Sequence, residues 1–246
     1  MILFLCAAAA TAGFFDAIAG GGGLIQLPAL MVGLQDKPVV NVLGTNKFAS
    51  IFGTANAANR YRKQVQIDKK FLASMMVPAF LGSMGGAALA SKVPTEQMRV
   101  VVLIALIAIF IYTALNPKLG HEENQKLDYK VAAIAGLGIG FYDGIFGPGT
   151  GTFLMAVLVG ALGFGFLSAS AIAKFTNVAT NLAAIIIFAK AGVILWGIGA
   201  ALAISNIIGS TIGSQMAIKG GSPLVRKVFL LMTAALIAKV GFDVVN

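Results

Sequence analysis

Charged residues are scarce in this sequence. Asp, Glu, Lys and Arg make up only 11% of the 246 residues, whereas 58% are hydrophobic. A soluble domain of this length has roughly a quarter of its residues charged. Apolar runs long enough to cross a bilayer, about 20 residues each, fill nearly the whole chain. This composition excludes a soluble domain and indicates an all-helical, multi-pass membrane protein.

Cysteine and histidine are also nearly absent. The chain has one of each, Cys6 and His121. A lone cysteine excludes an internal disulfide and a Cys-based metal site. The histidine lies in a polar stretch and has no partner for a zinc site. We therefore expect no metal and no cofactor.

The net charge of +9 has two readings, nucleic-acid binding or membrane orientation. The 18 Lys and Arg residues lie mostly at the ends of apolar runs, as in the cluster at 60–70. Positive charge in that position fixes how a membrane protein is oriented. We expect contact with membrane lipid and none with nucleic acid.

A segment near the N-terminus recurs in the middle of the chain. Residues 13–20 (GFFDAIAG) reappear as residues 140–147 (GFYDGIFG), an offset of 127. Matches at this offset continue without a gap as far as Arg99 and Arg226. One offset held over so long a stretch indicates an internal duplication.

Each copy contains four apolar segments. They lie at roughly 2–34, 40–60, 70–91 and 97–116, and again at 129–166, 168–189, 193–218 and 224–245. The predicted architecture is all-α: a single transmembrane domain, 1–246, built of two pseudo-equivalent four-segment repeats. The first repeat is 1–116, the second is 129–246, and a polar linker at 117–128 contains Glu122, Glu123 and Lys126.

The first segment of each repeat is too long for one span and is interrupted by glycines, at 20–23 and at 147–149. About 12 residues follow each break, and as a helix they cover roughly 18 Å, short of the roughly 30 Å membrane core. The pieces could form one kinked crossing or a re-entrant hairpin. If the pieces form crossings, the Lys and Arg residues outside the spans divide ten to six between the two sides of the membrane. If they form hairpins, the division is eleven to five. The larger bias favours the hairpin. An odd number of crossings per repeat would invert the repeats, as in many transporters.

Four ionisable residues lie inside apolar segments, one aspartate and one lysine per repeat: Asp16, Lys47, Asp143 and Lys174. Placing a charge there costs a few kcal/mol or more. One interpretation is two structural Asp–Lys pairs that hold the broken helices. The other, which the polar neighbours favour, is a substrate and coupling site between the repeats.

Polar side chains and helix starts surround the two lysines. Spacings of three and four place Asn177, Thr180 and Asn181 on one helix face. The helix that begins after each glycine break offers free N–H groups and a positive dipole end, which attract anions. The predicted anion-binding residues are Thr45, Asn46, Lys47, Lys174, Asn177 and Asn181, with Gly22, Gly23, Gly149, Thr150 and Gly151 at the breaks.

Asp16 and Asp143 are predicted to carry protons or to act as counter-charges. If ionised, they would repel the same anion. Burial favours the neutral form of a carboxyl group unless a cation offsets the effect. The two aspartates could carry protons coupled to anion movement, or could pair with the lysines when the site is empty.

These motifs resemble those of the TauE/SafE family of membrane permeases, which includes proteins described as sulfite exporters and YfcA-like proteins. The resemblance rests on residues 13–25 with 43–48, and on 141–151 with 174–177, and it covers essentially the whole chain. It implies a transporter in the cytoplasmic membrane for small sulfur-containing anions, such as sulfite or organosulfonates. The second repeat has Ala173 where Asn46 stands in the first, so the surroundings of the two lysines differ.

Two other functions would use some of the same residues. A passive anion channel could use the same basic, Thr- and Asn-lined path, but a titratable aspartate in each repeat favours a coupled carrier. An intramembrane aspartyl hydrolase would use a carboxylate dyad. The chain has no Gly-x-Gly-Asp motif and its lysines would be out of place in such a site, so we expect a non-enzyme. The sequence leaves the oligomeric state open, a homodimer included.

Overall fold

The computed structural model describes residues 1–90, 95–121 and 123–245, which form nine α-helices and one π-helical segment. The all-helical fold class is confirmed over these residues. Glu122 of the predicted linker lies outside them. In chain order the helices are α1 (Ile2–Ala19), α2 (Gly23–Gly33), α3 (Val39–Tyr61), α4 (Lys69–Leu89), α5 (Thr95–Leu115), α6 (Tyr129–Ile145), α7 (Thr150–Ala156) continued by the π-helical Val157–Ala161, α8 (Phe166–Lys190) and α9 (Trp196–Val245).

Two aspartates fix where α4 and α6 begin. The carboxylate of Asp68 accepts a hydrogen bond from the Phe71 N–H at 2.6 Å. That of Asp128 accepts from the N–H groups of Lys130 and Val131 at 2.9 and 3.1 Å. These bonds satisfy N–H groups that have no partner within the helix. The long apolar runs then continue each helix.

The predicted segments 193–218 and 224–245 form two helical parts of α9 that meet at Gly221. Within α9, Gly221 adopts φ 61° and ψ −165°, which is not helical. A left-handed φ is strained for residues other than glycine. Gly221 therefore divides α9 into a first part, 196–220, and a second part, 222–245.

The first glycine break turns the chain back on itself. Gly20 has a φ of 81°, a conformation available to glycine without strain. After the break α2 packs along α1, and a Cβ atom on Gly33 would lie only 2.7 Å from Leu5 Cδ2. The end of α2 is therefore beside the start of α1. Of the two arrangements that the sequence left open, the structure forms the re-entrant hairpin.

The second glycine break also turns the chain back on itself. The Lys126 N–H donates to the Leu162 carbonyl at 2.8 Å, and the Asn124 N–H donates to the Gly163 carbonyl at 2.9 Å. These bonds join the segment before α6 to the segment after the π-helical turn. The chain from α6 through α7 thus also leaves and returns at one end of the bundle.

The two hairpins enter from opposite ends of the bundle. The first begins at the end where α3 starts, since α2 leads directly into α3. The Asn41 side chain of α3 donates to the Val193 carbonyl at 3.0 Å, so the connection between α8 and α9 lies at the same end. The second begins at the other end, where the Phe71 ring packs on Tyr129 and Phe164. We call this the basic end, since its positive residues are Arg60, Arg62, Lys63, Lys69, Lys70, Lys118, Lys126, Lys130, Lys219, Arg226 and Lys227.

The helices pack in two groups that interleave distant parts of the chain. The first group is α1, α2, α3 and the first part of α9, and the second is α4, α6, α7 and α8. Within each group glycines bring helix backbones together, as at Gly209, which abuts the Ala10 carbonyl of α1. Small residues permit this close approach in membrane helices. The groups meet along α3 and α8 and at the two hairpin turns.

Apolar side chains cover the outside of the bundle. Three of the described helices, α1, α4 and α8, are long and apolar enough to cross a bilayer. Ile134 is 74% exposed and Ile204 is 63% exposed on outward faces, which suits contact with lipid rather than water. The fold is that of a multi-pass membrane protein.

The close approach of α1 and α9 can be tested at Gly209. A Cβ atom there would overlap the Ala10 carbonyl oxygen, whereas one on Gly138 would have nothing within 4 Å. We expect Gly209→Ala to destabilise the protein by about 1–3 kcal/mol, as overpacking does. The measurement is the apparent melting temperature in detergent. Gly138→Ala, the control, should leave it unchanged or raise it, and equal effects of both substitutions would contradict the packing.

Candidate functional site

A polar cavity of ≈ 50 Å³ lies where the two hairpin turns meet. The turns are in direct contact, because a Cβ atom on Gly20 would lie 2.7 Å from Gly151 Cα. One water needs about 10–15 Å³ of such space, so the cavity has room for a few waters or one small ion. Of the predicted site residues, its lining includes Asp16, Gly22, Gly23, Asn46, Lys47, Asp143, Gly149, Thr150, Gly151, Asn177 and Asn181.

Lys47 forms a buried ion pair with Asp143. Lys47 Nζ lies 2.7 Å from Asp143 Oδ1, and the two side chains are only 5% and 6% exposed. The Thr150 hydroxyl is 2.6 Å from the same oxygen and 2.7 Å from the Gly147 carbonyl. Asp143 Oδ2 is buried and has no hydrogen-bond partner among the described residues. One carboxylate oxygen therefore makes the ion pair and the contact with Thr150, while the other has no partner among the described residues.

Lys174 forms the second ion pair, with Asp16. Lys174 Nζ lies 3.1 Å from Asp16 Oδ2, which also accepts a hydrogen bond from the Thr54 hydroxyl at 3.3 Å. The Lys174 side chain is completely buried, whereas that of Asp16 is 21% exposed. The structure places Asp16, but not Lys174, in the lining of the cavity.

Both ion pairs connect the two helix groups. Lys47 on α3 meets Asp143 on α6, and Lys174 on α8 meets Asp16 on α1. Each lysine therefore pairs with the aspartate of the other predicted repeat, not with that of its own. Removing one partner of such a pair leaves an uncompensated buried charge. The pairs thus stabilise this arrangement of the two groups.

Thr45 lies away from the cavity lining. It is fully buried, and its hydroxyl accepts a hydrogen bond from the Leu195 N–H at 3.0 Å, just before α9. That bond satisfies a backbone donor ahead of the helix. The structure thus gives Thr45 a position at the α3–α9 contact, one residue before the cavity-lining Asn46.

Several buried polar atoms at the cavity have no partner among the described residues: Gln26 Nε2, Asn46 Oδ1, Asn177 Oδ1 and Asp143 Oδ2. Buried polar groups in folded proteins are nearly always hydrogen-bonded. Free donors and acceptors that face one small cavity are those that a bound polar ligand would use.

Sequence reasoning missed Gln26 and Asn206. The Asn206 side-chain amide donates to Gln26 Oε1 at 2.8 Å, and both residues line the cavity. Gln26 is the only polar side chain in α2, a signal that the sequence contained. At the offset of 127 their counterparts are Phe153 and Ala79. Because these are apolar, the repeat pattern did not indicate Gln26 and Asn206 as site residues.

The described residues contain no group of three His, Cys, Asp or Glu side chains that could hold a metal ion. The cavity is lined by amides, hydroxyls, backbone and the carboxyl groups of Asp16 and Asp143. Among the described residues, Lys47 is the one cation in its lining.

The Lys174–Asp16 pair predicts that a second substitution restores part of the stability that a first one removes. Lys174→Met should lower stability by about 3–5 kcal/mol, because Asp16 would lose its cation. Adding Asp16→Asn should restore part of that loss by removing the stranded charge. Thermal unfolding in detergent measures both. Lys70→Met, at an exposed position of the basic end, should have little effect, and a double variant no more stable than the single one would refute the pairing.

Three curated relatives resemble the chain over most of its length. It is 35% identical over 238 residues to a probable membrane transporter protein, ORF9, of Sinorhizobium sp, covering 96% of this chain and 90% of the relative. It is 36% identical over 236 residues to the probable membrane transporter protein YfcA of Escherichia coli (strain K12), covering 94% and 86%. A probable membrane transporter protein of Haemophilus influenzae is 34% identical over 234 residues, covering 94% and 91%.

No solved structure matches the chain. A family described as "Sulfite exporter TauE/SafE" matches residues 5–240. The family and the relatives are named for transport and not for catalysis, so the prediction of a non-enzyme is confirmed. The resemblance found in the motifs is confirmed as well: the chain belongs to the TauE/SafE family.

Proposed function

We propose that the protein is a secondary transporter that moves small anions, sulfite and organosulfonates among them, across the cytoplasmic membrane. The observation that carries this proposal is the Lys47–Asp143 pair, buried beside a polar cavity where two re-entrant hairpins meet. Intramembrane charges of this kind are costly and are found at transport sites. The family's description as sulfite exporters supports the class of substrate.

The proposed mechanism requires two inverted repeats, 1–116 and 129–246, joined by the linker at 117–128. Several features support them. After the hairpins, α3 corresponds to α8, α4 to the first part of α9, and α5 to the second part. The hairpins enter from opposite ends, which is the relation expected of inverted repeats. Such repeats allow a central site to open alternately to each side.

The basic end is proposed to face the cytoplasm. Eleven Lys and Arg residues lie there, as the re-entrant arrangement requires. Cytoplasmic loops of membrane proteins carry an excess of these residues. The proposed location is the inner membrane, with the second hairpin entering from the cytoplasm.

Lys47 is proposed to bind the transported anion. It is the cavity's lining cation, and Gln26 Nε2, which is buried without a partner among the described residues, can donate a hydrogen bond to the anion. The first residues of α2 also line the cavity, so the positive end of that helix adds to the attraction. A volume of ≈ 50 Å³ limits the ligand to a small anion, or to the head of a sulfonate.

An exchange of partners would couple the anion to a proton. When Lys47 turns to the anion, Asp143 loses its cation in a site with little water. A buried carboxylate without a cation is strongly disfavoured as an ion, so Asp143 takes up a proton. Anion and proton then occupy the site together. Lys174, enclosed with Asp16, is proposed to stay paired throughout and to keep the two helix groups aligned.

A pH gradient tests coupled transport against a passive channel. Methanesulfonate is a suitable probe, because it stays ionised where sulfite itself takes up a proton. In proteoliposomes of the full chain, a pH gradient should drive uphill accumulation of labelled methanesulfonate. Asp143→Asn should abolish accumulation but retain exchange at equal pH.

The matched control is Asp36→Asn, an exposed aspartate outside the cavity lining, which should accumulate like the wild type. Downhill flux with no gradient-driven accumulation in the wild type would favour the channel and sink the proton-coupled proposal.

A further inference from the structure

A second polar cavity, of ≈ 460 Å³, opens at the basic end between α3 and α9. We call it the basic cleft; its polar lining is Asn56, Asn59, Arg60, Lys63, Gln64, Gln215 and Lys219. Three of these side chains are cationic and none is acidic. Arg60 Nε is buried without a hydrogen-bond partner among the described residues. A concave surface lined by one sign of charge concentrates ions of the other sign.

A polar seam leads from the central cavity to this cleft. Thr54 and Asn206 line the cavity. Two residues further along α3 and four further along α9, the Asn56 amide donates to Ser210 Oγ at 2.9 Å, and it also donates to Thr211 Oγ1 at 2.8 Å. Asn56 also borders the basic cleft. This layer of hydrogen bonds between side chains therefore lies between residues of the central cavity and residues of the cleft.

The corresponding contact in the second half of the chain is less polar: Ser83, the counterpart of Ser210, donates to the Thr180 backbone carbonyl at 2.7 Å. At the offset of 127, the counterpart of Asn56 is Ala183, and that of Arg60 is Ile187. Ala183 is fully buried, and Ile187 packs against an apolar cluster that includes Phe188. Among the described residues, the same packing of helices, α8 against α4, thus exists without a layer of hydrogen bonds between side chains like that of Asn56. Helix packing alone does not require this layer, so the layer calls for another explanation.

We propose that the basic cleft is an anion-binding vestibule, and that the seam between α3 and α9 is the route from it to the central cavity. The layer of Asn56, Ser210 and Thr211 closes this route in the present structure. The cleft captures oxyanions by charge, and the seam passes them by hydrogen bonding when the layer opens. The identity of the anion rests on the proposed function, whereas the route rests on the seam alone.

Cysteine labelling tests the route without any transport assay. In a Cys6→Ser background, Asn56→Cys is treated in membrane vesicles with an anionic reagent, sulfonatoethyl methanethiosulfonate, or with its cationic trimethylammonium analogue. Reagent reaching the basic end should modify Asn56→Cys about tenfold faster when anionic than when cationic. Arg60→Gln with Lys219→Gln should bring that ratio close to one. Ser210→Cys serves as a second probe if Asn56→Cys does not fold.

Two matched controls are available in the chain. Arg62→Gln removes a charge at the basic end outside the cleft and should leave the ratio unchanged. Ala183→Cys, the counterpart of Asn56→Cys in the second half, should stay unmodified from either end because it is fully buried. Arg62→Cys, at an exposed position, reports which end is accessible in each vesicle preparation.

Several results would overturn the proposal. Both probes could resist modification from the basic end, could react equally with the two reagents, or could keep their ratio after the cleft charges are removed. Selectivity seen in phosphatidylcholine vesicles but lost with phosphatidylglycerol would show that lipid headgroups fill the cleft. Failure of methanesulfonate transport with normal labelling would refute the proposed function and leave the route standing.

Discussion

Two lysines buried in an apolar helical bundle each require a carboxylate, and the rest of the site depends on that requirement. The glycine breaks end α1 and α6 inside the bundle, which brings Asp16 and Asp143 to the level of the lysines. Each aspartate then pairs with the lysine of the other helix group. Because both pairs join the groups, a movement that separates either pair changes how its charges are compensated. This couples the geometry of the fold to the electrostatics of the cavity.

The two ion pairs are alike in composition but differ in surroundings. Lys174 is completely enclosed, while Lys47 lines the cavity beside unpartnered amides. Asn46 has no polar counterpart, since Ala173 occupies the matching position. The asymmetry extends to the seam between α3 and α9, whose layer of hydrogen bonds between side chains has no counterpart between α8 and α4 among the described residues. On the proposed function, the two predicted repeats together carry a single binding position, approached from the basic end.

The sequence alone predicted the membrane class, the broken helices and the four buried charges, because hydropathy and one constant offset encode them directly. It did not predict which lysine meets which aspartate. An offset shows that two residues are equivalent, whereas contact depends on how the two groups interleave. Gln26 and Asn206 were not predicted as site residues for a related reason, since their counterparts are apolar. Thr45 looked like a site residue because it lies beside Asn46, but its hydroxyl bonds the backbone before α9.

Lys47 is proposed to bind a small anion, and ligand-induced thermal stabilisation tests this binding most directly. Purified protein would be unfolded with sulfite, methanesulfonate or acetate in excess. A ligand at about a hundred times its Kd adds about 2.7 kcal/mol of stability. We expect the sulfur oxyanions to raise the melting temperature of the wild type and of Lys70→Met, but not of Lys47→Met. Equal stabilisation of Lys47→Met, or none of the wild type by any of these anions, would contradict the account.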